Sequence, residues 1–242
     1  SGTVPVGQSS VTLSGVTYTR AESGVVLTAT GSGSNSSVTG KSRDSNGFTV
    51  GAGAPTQLAV LTQPVGGPSG AALTTQPVVS IRDLNGNTVI GDNTTVVSVS
   101  ILSGTGGSLG TIQTATAVGG VATFSGVTLS GLVGQNYVLR FSSNPTLTVA
   151  DSSNVTVSGG APSQLLLSSI GTQTAGVGFG VTVTLADAQG NAVNNSGAAG
   201  TVTLTVKTGS GTLGGTVSGT VPVGQSSVTL SGVTYTRAES GV

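Results

Sequence analysis

Apolar and hydroxyl-bearing residues alternate along much of the chain. Val97, Val99 and Ile101 are interleaved with Ser98 and Ser100; Val181, Val183 and Leu185 with Thr182 and Thr184; Val202, Leu204 and Val206 with Thr203, Thr205 and Lys207. A period of two puts one row of side chains inward and the other outward, as in a half-buried strand. Asn-Gly, Gly-Gly and Gly-Ser pairs interrupt these runs about every eight to twelve residues, the spacing of turns in an antiparallel sandwich of about seven strands and about a hundred residues. No stretch places apolar residues at helical spacing. For residues 54–160 the pattern predicts strands over 57–62, 76–82, 95–102, 112–117, 121–128, 136–142 and 147–157.

The chain repeats itself on two scales. Ser1–Val25 reads SGTVPVGQSSVTLSGVTYTRAESGV, and Ser218–Val242 repeats it letter for letter, 217 positions later. Such identity implies duplication of a long unit. Within that unit lies an older repeat. Ala54-Pro55-Thr56-Gln57-Leu58 matches Ala161-Pro162-Ser163-Gln164-Leu165, and Asp83-Leu84-Asn85-Gly86-Asn87 matches Asp187-Ala188-Gln189-Gly190-Asn191. Gly104–Gly110 echoes Gly209–Gly214, and Phe124–Leu129 corresponds to Leu230–Tyr235, hence to Leu13–Tyr18. The expected fold is all-β, built of tandem antiparallel sandwiches. Residues 1–53 form the C-terminal part of a truncated module, 54–160 a complete one, and 161–242 the N-terminal part of another.

The order of Asp83-x-x-Gly86-Asn87-x-Val89, a Gly-rich turn, Gly120-Val121-Ala122-Thr123-Phe124 and Gly134-x-x-Tyr137-x-Leu139 resembles the bacterial immunoglobulin-like domains strung in tandem in invasin- and intimin-type surface proteins and in very long adhesins. The resemblance covers both modules and implies an immunoglobulin-like fold and an extracellular, rod-forming role at the cell surface. The chain departs from that pattern in its low charge and in having Val25 where the complete module has Tyr137.

Composition narrows the chemistry. With Cys 0 and His 0 in 242 residues, there is no imidazole base, thiolate nucleophile or soft metal ligand. An enzyme is not expected, and no catalytic, cofactor or metal residue is assigned. Lys+Arg 7 against Asp+Glu 7, with charged residues at 6%, provides no basic stripe for phosphates, so nucleic acid is not an expected partner. No initiator Met, basic leader or apolar run near eighteen residues is present, so neither a signal peptide nor a membrane span is expected. The 34 Ser and 38 Thr of the chain favour strands and turns over helices.

Several patterns invite a chemical reading and are better explained structurally. Asp83 and Asp187 could be calcium ligands, but calcium needs several converging carboxylates, and the complete module holds only Asp83, Asp92 and Asp151. An Asp accepting backbone N–H bonds across the following turn accounts for the spacing. Gly209-Ser210-Gly211-Thr212-Leu213-Gly214 fits the dinucleotide fingerprint, but the sequence after it cannot open the required helix, and a hairpin turn is expected. Lys207 and Lys41 are not placed for a buried Lys–Asn crosslink. Asn35, Asn93, Asn154 and Asn194 head N-x-Ser/Thr sequons at about the frequency that chance gives among 11 Asn, and glycans remain a candidate partner of so uncharged a surface. The Thr201, Thr203 and Thr205 row is a strand face, not a flat ice-binding array.

Short Gly-Ala-Pro junctions at 53–55 and 160–162 favour stiff stacking of modules, since Pro fixes one dihedral and a brief linker leaves little room to bend. Two broken modules should expose apolar faces and unpaired edges, with completion coming from neighbouring copies of the chain joined head to tail. Two functions follow: the repeat unit of a long extracellular or cell-surface filament, or a rigid spacer stalk of an adhesin whose receptor-binding site lies in another domain.

Overall fold

The computed structural model describes residues 1–241; Val242, the last residue of the expected third module, lies outside the described residues. The described residues are all-β, without a helix. In the N-terminal segment, β1 (Glu22–Val25) pairs with β4 (Phe48–Val50), and β2 (Thr28–Thr30) pairs with β3 (Ser42–Asp44).

The central segment contains β5 (Gln57–Thr62), β6 (Val78–Arg82), β7 (Val96–Ser103), β8 (Ser108–Leu109), β9 (Thr114–Thr116), β10 (Val121–Thr123), β11 (Leu129–Ser130), β12 (Val138–Asn144) and β13 (Ala150–Asp151). They form antiparallel sheets in the orders β10-β6-β5 and β13-β12-β7-β9, with a small β8-β11 ladder. The alternating apolar positions meet in one buried cluster. Leu58, Val79 and Ile81 come from one sheet, Val97, Val99, Leu139 and Phe141 from the other. Phe124 and Phe141 lie at its centre, their rings 5.6 Å apart and tilted by 56°, an arrangement that adds to area burial.

The C-terminal segment holds β14 (Gln164–Leu167), β15 (Phe179–Ala186), β16 (Gly200–Thr203), β17 (Leu213–Gly214), β18 (Ser218–Val221) and β19 (Ser227–Tyr235). Its sheets run β14-β15-β19-β17 and β16-β18, around a smaller cluster of Val181, Val183, Val202, Val221, Leu230 and Val233.

The periodicity locates most strands and fails where pairing decides. The run expected over 147–157 is a strand only at β13, because the chain changes partners: Thr148 bridges Gln57, Ala150 and Asp151 pair with β12, and Val155 bridges Tyr137. The run expected over 121–128 breaks after Thr123. Gly126 takes φ +76, a left-handed turn that glycine adopts without steric cost, and the chain resumes as β11. The short strand β8 had no periodic signal at all. The 202–207 alternation is a strand only as far as Thr203. Its central counterpart β7 runs to Ser103 because β12 pairs along its whole length; β16 has β18 on one side and no strand on the other.

The duplicated sequence shows the same dependence. Residues 218–235 fold into β18 and β19 on β15, β16 and β17, with Leu230 and Val233 buried. The identical residues 1–18 form no strand, and Leu13 and Val16 are exposed. A strand is completed by the edge it joins, and propensity alone does not form one.

Candidate functional site

The repeated Asp-x-x-Gly-Asn turns lie where the segments meet. In each, the backbone closes a tight turn. The Gly86 N–H donates to the Asp83 carbonyl at 3.1 Å and the Gly190 N–H to the Asp187 carbonyl at 3.0 Å. The glycines sit at φ +83 and φ +84, which explains why this position is Gly in both.

The Asp carboxylate fills the turn. Asp83 Oδ1 accepts the N–H groups of Asn85 and Asn87, each at 2.9 Å, and Oδ2 accepts the Gly53 N–H at 2.8 Å and Asn87 Nδ2 at 2.9 Å. Asp187 repeats the pattern with Gln189, Asn191, Gly160 and Asn191 Nδ2, at 2.8–3.0 Å. Both carboxylates are buried, yet every lone-pair direction has a donor. Asn87 and the neighbouring backbone N–H groups hold the Asp83 carboxyl below its ordinary range. At Asp187 burial opposes ionisation, and the bonds from Asn191, Gly160 and Gln189 outweigh it, so its carboxyl also lies low. The turn-capping role expected for these residues accounts for the geometry, and a cation would have to displace these donors.

The Asn side chain reaches out of the turn into the preceding segment. Asn87 Nδ2 donates to the Thr19 carbonyl at 2.7 Å, and Asn87 Oδ1 accepts the Ala21 N–H at 2.9 Å. Asn191 Nδ2 donates to the Gly131 carbonyl at 2.9 Å, and its Oδ1 accepts the Val133 N–H at 2.8 Å. Each amide thus grips a carbonyl and the N–H two residues on, as a neighbouring strand would. The contact is to backbone alone, so it tolerates different side chains at the gripped loop. At the second junction Ser69 Oγ adds a bond to Gln189 Oε1 at 3.0 Å.

The linker is built into the same unit. Gln57 Nε2 donates to the Asp83 carbonyl at 2.7 Å and Gln164 Nε2 to the Asp187 carbonyl at 2.6 Å, so the Ala-Pro-x-Gln-Leu match and the Asp-x-x-Gly-Asn match are two halves of one joint. Sequence reasoning found the Asp and missed the reach of the Asn. The available signal was that Asn87 and Asn191 are kept while the residues between Asp and Gly differ.

The Gly-rich turns make room for tyrosine rings. The Tyr137 hydroxyl donates to the Thr105 carbonyl at 3.0 Å and accepts the Leu132 N–H at 2.7 Å. A Cβ on Gly107 would lie 2.5 Å from the Tyr137 ring, and one on Gly211 would lie 2.6 Å from the Tyr235 ring. Val25, paired with Phe48, stands where Tyr137, bridged to Val155, stands in the central segment. In the C-terminal segment the ring over the Gly-rich turn comes instead from Tyr235, at the position of Leu129. The fingerprint-like 209–214 run therefore lies under Tyr235 and ends in β17 without a helix.

Tyr235 OH accepts the Gly211 N–H at 2.8 Å and donates to Glu239. Glu239 also accepts the Ser210 and Gly211 N–H groups and the Ser210 hydroxyl, and these bonds, led by the tyrosine, lower its carboxyl to about 2. The same contact pushes the Tyr235 phenol up.

The other singled-out residues are dispersed. Asp92 caps Thr94 and Thr95, and Asp151 pairs bidentately with Arg140 at 2.8 Å. Lys41, Lys207, Thr201, Thr203, Thr205 and the sequon residues Asn35, Asn93, Asn154 and Asn194 are exposed. Among the described residues no three His, Cys, Asp or Glu side chains cluster to hold a metal, and no helix is long and apolar enough to cross a membrane. No family model, curated protein sequence or solved structure matches the chain.

Proposed function

We propose that this chain is the structural repeat of a long extracellular or cell-surface filament, made of immunoglobulin-like modules joined head to tail and acting without catalysis. The observation that carries the reading is the recurrence of one joint. Twice along the chain an Asp-held turn presents an Asn amide to the backbone of the preceding segment, and twice the linker glycine and glutamine are bonded into that turn. A joint that recurs with the repeat and uses backbone partners suits an array in which any unit must follow any other. Four hydrogen bonds closing a short linker restrict the hinge, and a stack of such joints is a rod.

The chemistry of the carboxylates supports a mechanical role. Asp83, Asp92, Asp151 and Asp187 are each committed to structural bonds, which leaves none of these four poised as an acid or base. Electron microscopy of the native assembly tests the reading. Ordered multi-chain filaments are the expected result; single stalks with a distinct tip would favour the adhesin spacer, and compact particles would contradict both.

A further inference from the structure

The C-terminal segment has an open core, and the central segment specifies what fits it. In the central segment β12 lies along β7, with Ser142 opposite Ser98 and Phe141 opposite Val99. The strand edge of β5 is closed by Thr148, whose N–H donates to the Thr56 carbonyl at 2.9 Å and whose carbonyl accepts the Leu58 N–H at 2.9 Å. The C-terminal segment has counterparts of β5 and β7 in β14 and β16, with neither partner present. Leu165, matching Leu58, is 48% exposed where Leu58 is 5% exposed.

The missing strands exist elsewhere in the same sequence. Val25-Val26-Leu27-Thr28-Ala29-Thr30 aligns with Tyr137-Val138-Leu139-Arg140-Phe141-Ser142, and the ladders agree: Thr28 opposes Asp44 as Arg140 opposes Asp151. This half is open too, for Leu27 is 47% exposed where Leu139 is fully buried. Residues 26–53 follow the first copy of the repeat, residues 1–25, whose identical second copy is residues 218–242. Among the described residues of one chain the two halves form no ladder with each other.

We propose that residues 26–53 of a second copy of this chain dock on the open sheets of residues 161–241, β2 lying along β16 and the segment around Lys41 closing the edge of β14. The register follows from the central segment: Thr30 of the second copy faces Thr203, as Ser142 faces Ser98, and Ala29 and Leu27 turn inward opposite Leu204 and Val206, as Phe141 and Leu139 lie opposite Val99 and Ile101. Residues 1–18 of the incoming copy repeat strands already in place and form none of their own, so they leave the joint unobstructed. The inference rests on the tandem reading and adds the partner surface and its register.

Disulfide trapping tests it, in a chain with no cysteine of its own. Thr30 and Thr203 are both exposed, so Thr30→Cys and Thr203→Cys leave the fold intact. Each variant of the full 242-residue chain alone should stay unlinked under mild oxidation. Mixed, they should give a disulfide-linked dimer, and the double variant a ladder of oligomers. Thr201→Cys, two residues off register on the same face, should crosslink with Thr30→Cys far less, because its Cα lies beyond disulfide reach. Equal crosslinking at 201 and 203 would mean unspecific apolar association and would overturn the register. No crosslink, with the chain monomeric, would overturn the docking while leaving the rod reading to be judged by its joints. An intramolecular crosslink in the double variant would mean that the chain closes on itself, and both readings would fall.

Discussion

Tyr137 and Asn191 divide one three-residue stretch between them, Tyr137 bonding Leu132 and Asn191 its two neighbours. The Tyr137 hydroxyl accepts the Leu132 N–H from within the central segment, while Asn191, from the C-terminal segment, bonds the Gly131 carbonyl and the Val133 N–H. The loop that receives the joint is thus set by the core of its own segment before the next one grips it. Leu132, bonded to the core tyrosine, lies between the two residues that Asn191 bonds.

Asn191→Ala should loosen the second joint without unfolding either core. Two bonds to the preceding loop are lost, at about 1 kcal/mol each, so amide exchange at Val133 should speed up by roughly thirtyfold. Asn87→Ala should do the same at Ala21. Unchanged exchange at both amides would show that the amide grips carry no free energy.

Tyr137→Phe should destabilise the central segment by about 1–3 kcal/mol, because the Leu132 N–H and the Thr105 carbonyl lose a buried partner. Gly107→Ala tests the other side of the contact. Its Cβ would stand 2.5 Å from the ring, a clash of the kind that costs about 1–3 kcal/mol. Denaturant midpoints of the two variants check both.

The Glu239 carboxyl titrates at about 2 instead of 4.5. A carboxyl lowered by folding stabilises the fold fully above its unfolded value and loses that stabilisation as pH falls through the folded one. The loop bearing Ser210 and Gly211 should therefore loosen between about pH 4.5 and 2, read as amide exchange at Gly211. Glu239→Gln should remove this pH dependence.

Phe141→Ala should cost about 3–5 kcal/mol, since it empties the centre of a closed core. Ala29 occupies the matching position in the N-terminal segment and is exposed. Ala29→Phe in the isolated chain should change stability little, and thermal unfolding distinguishes the two cases.

The all-β fold was legible because alternation such as Val97-Ser98-Val99 reports a half-buried strand directly. What was not legible depended on partners. Identical residues are strand at 227–235 and irregular at 10–18, and β16 stops at Thr203 for want of a neighbour. The candidate site was legible in part: Asp83 and Asp187 announced a capped turn by their spacing, but the reach of Asn87 and Asn191 lies in three dimensions. The place of Tyr235 was likewise hidden, because an aromatic displaced along the sequence fills the same space over a Gly-rich turn.

The most direct test of the central claim, that these joints make a rod, is the distance distribution between spin labels on Ser142→Cys and Thr201→Cys, exposed positions on either side of the Asn191 joint. A single narrow distribution that broadens on Asn191→Ala is the expected result. A distribution already broad in the unmodified joint, and unmoved by the substitution, would contradict it.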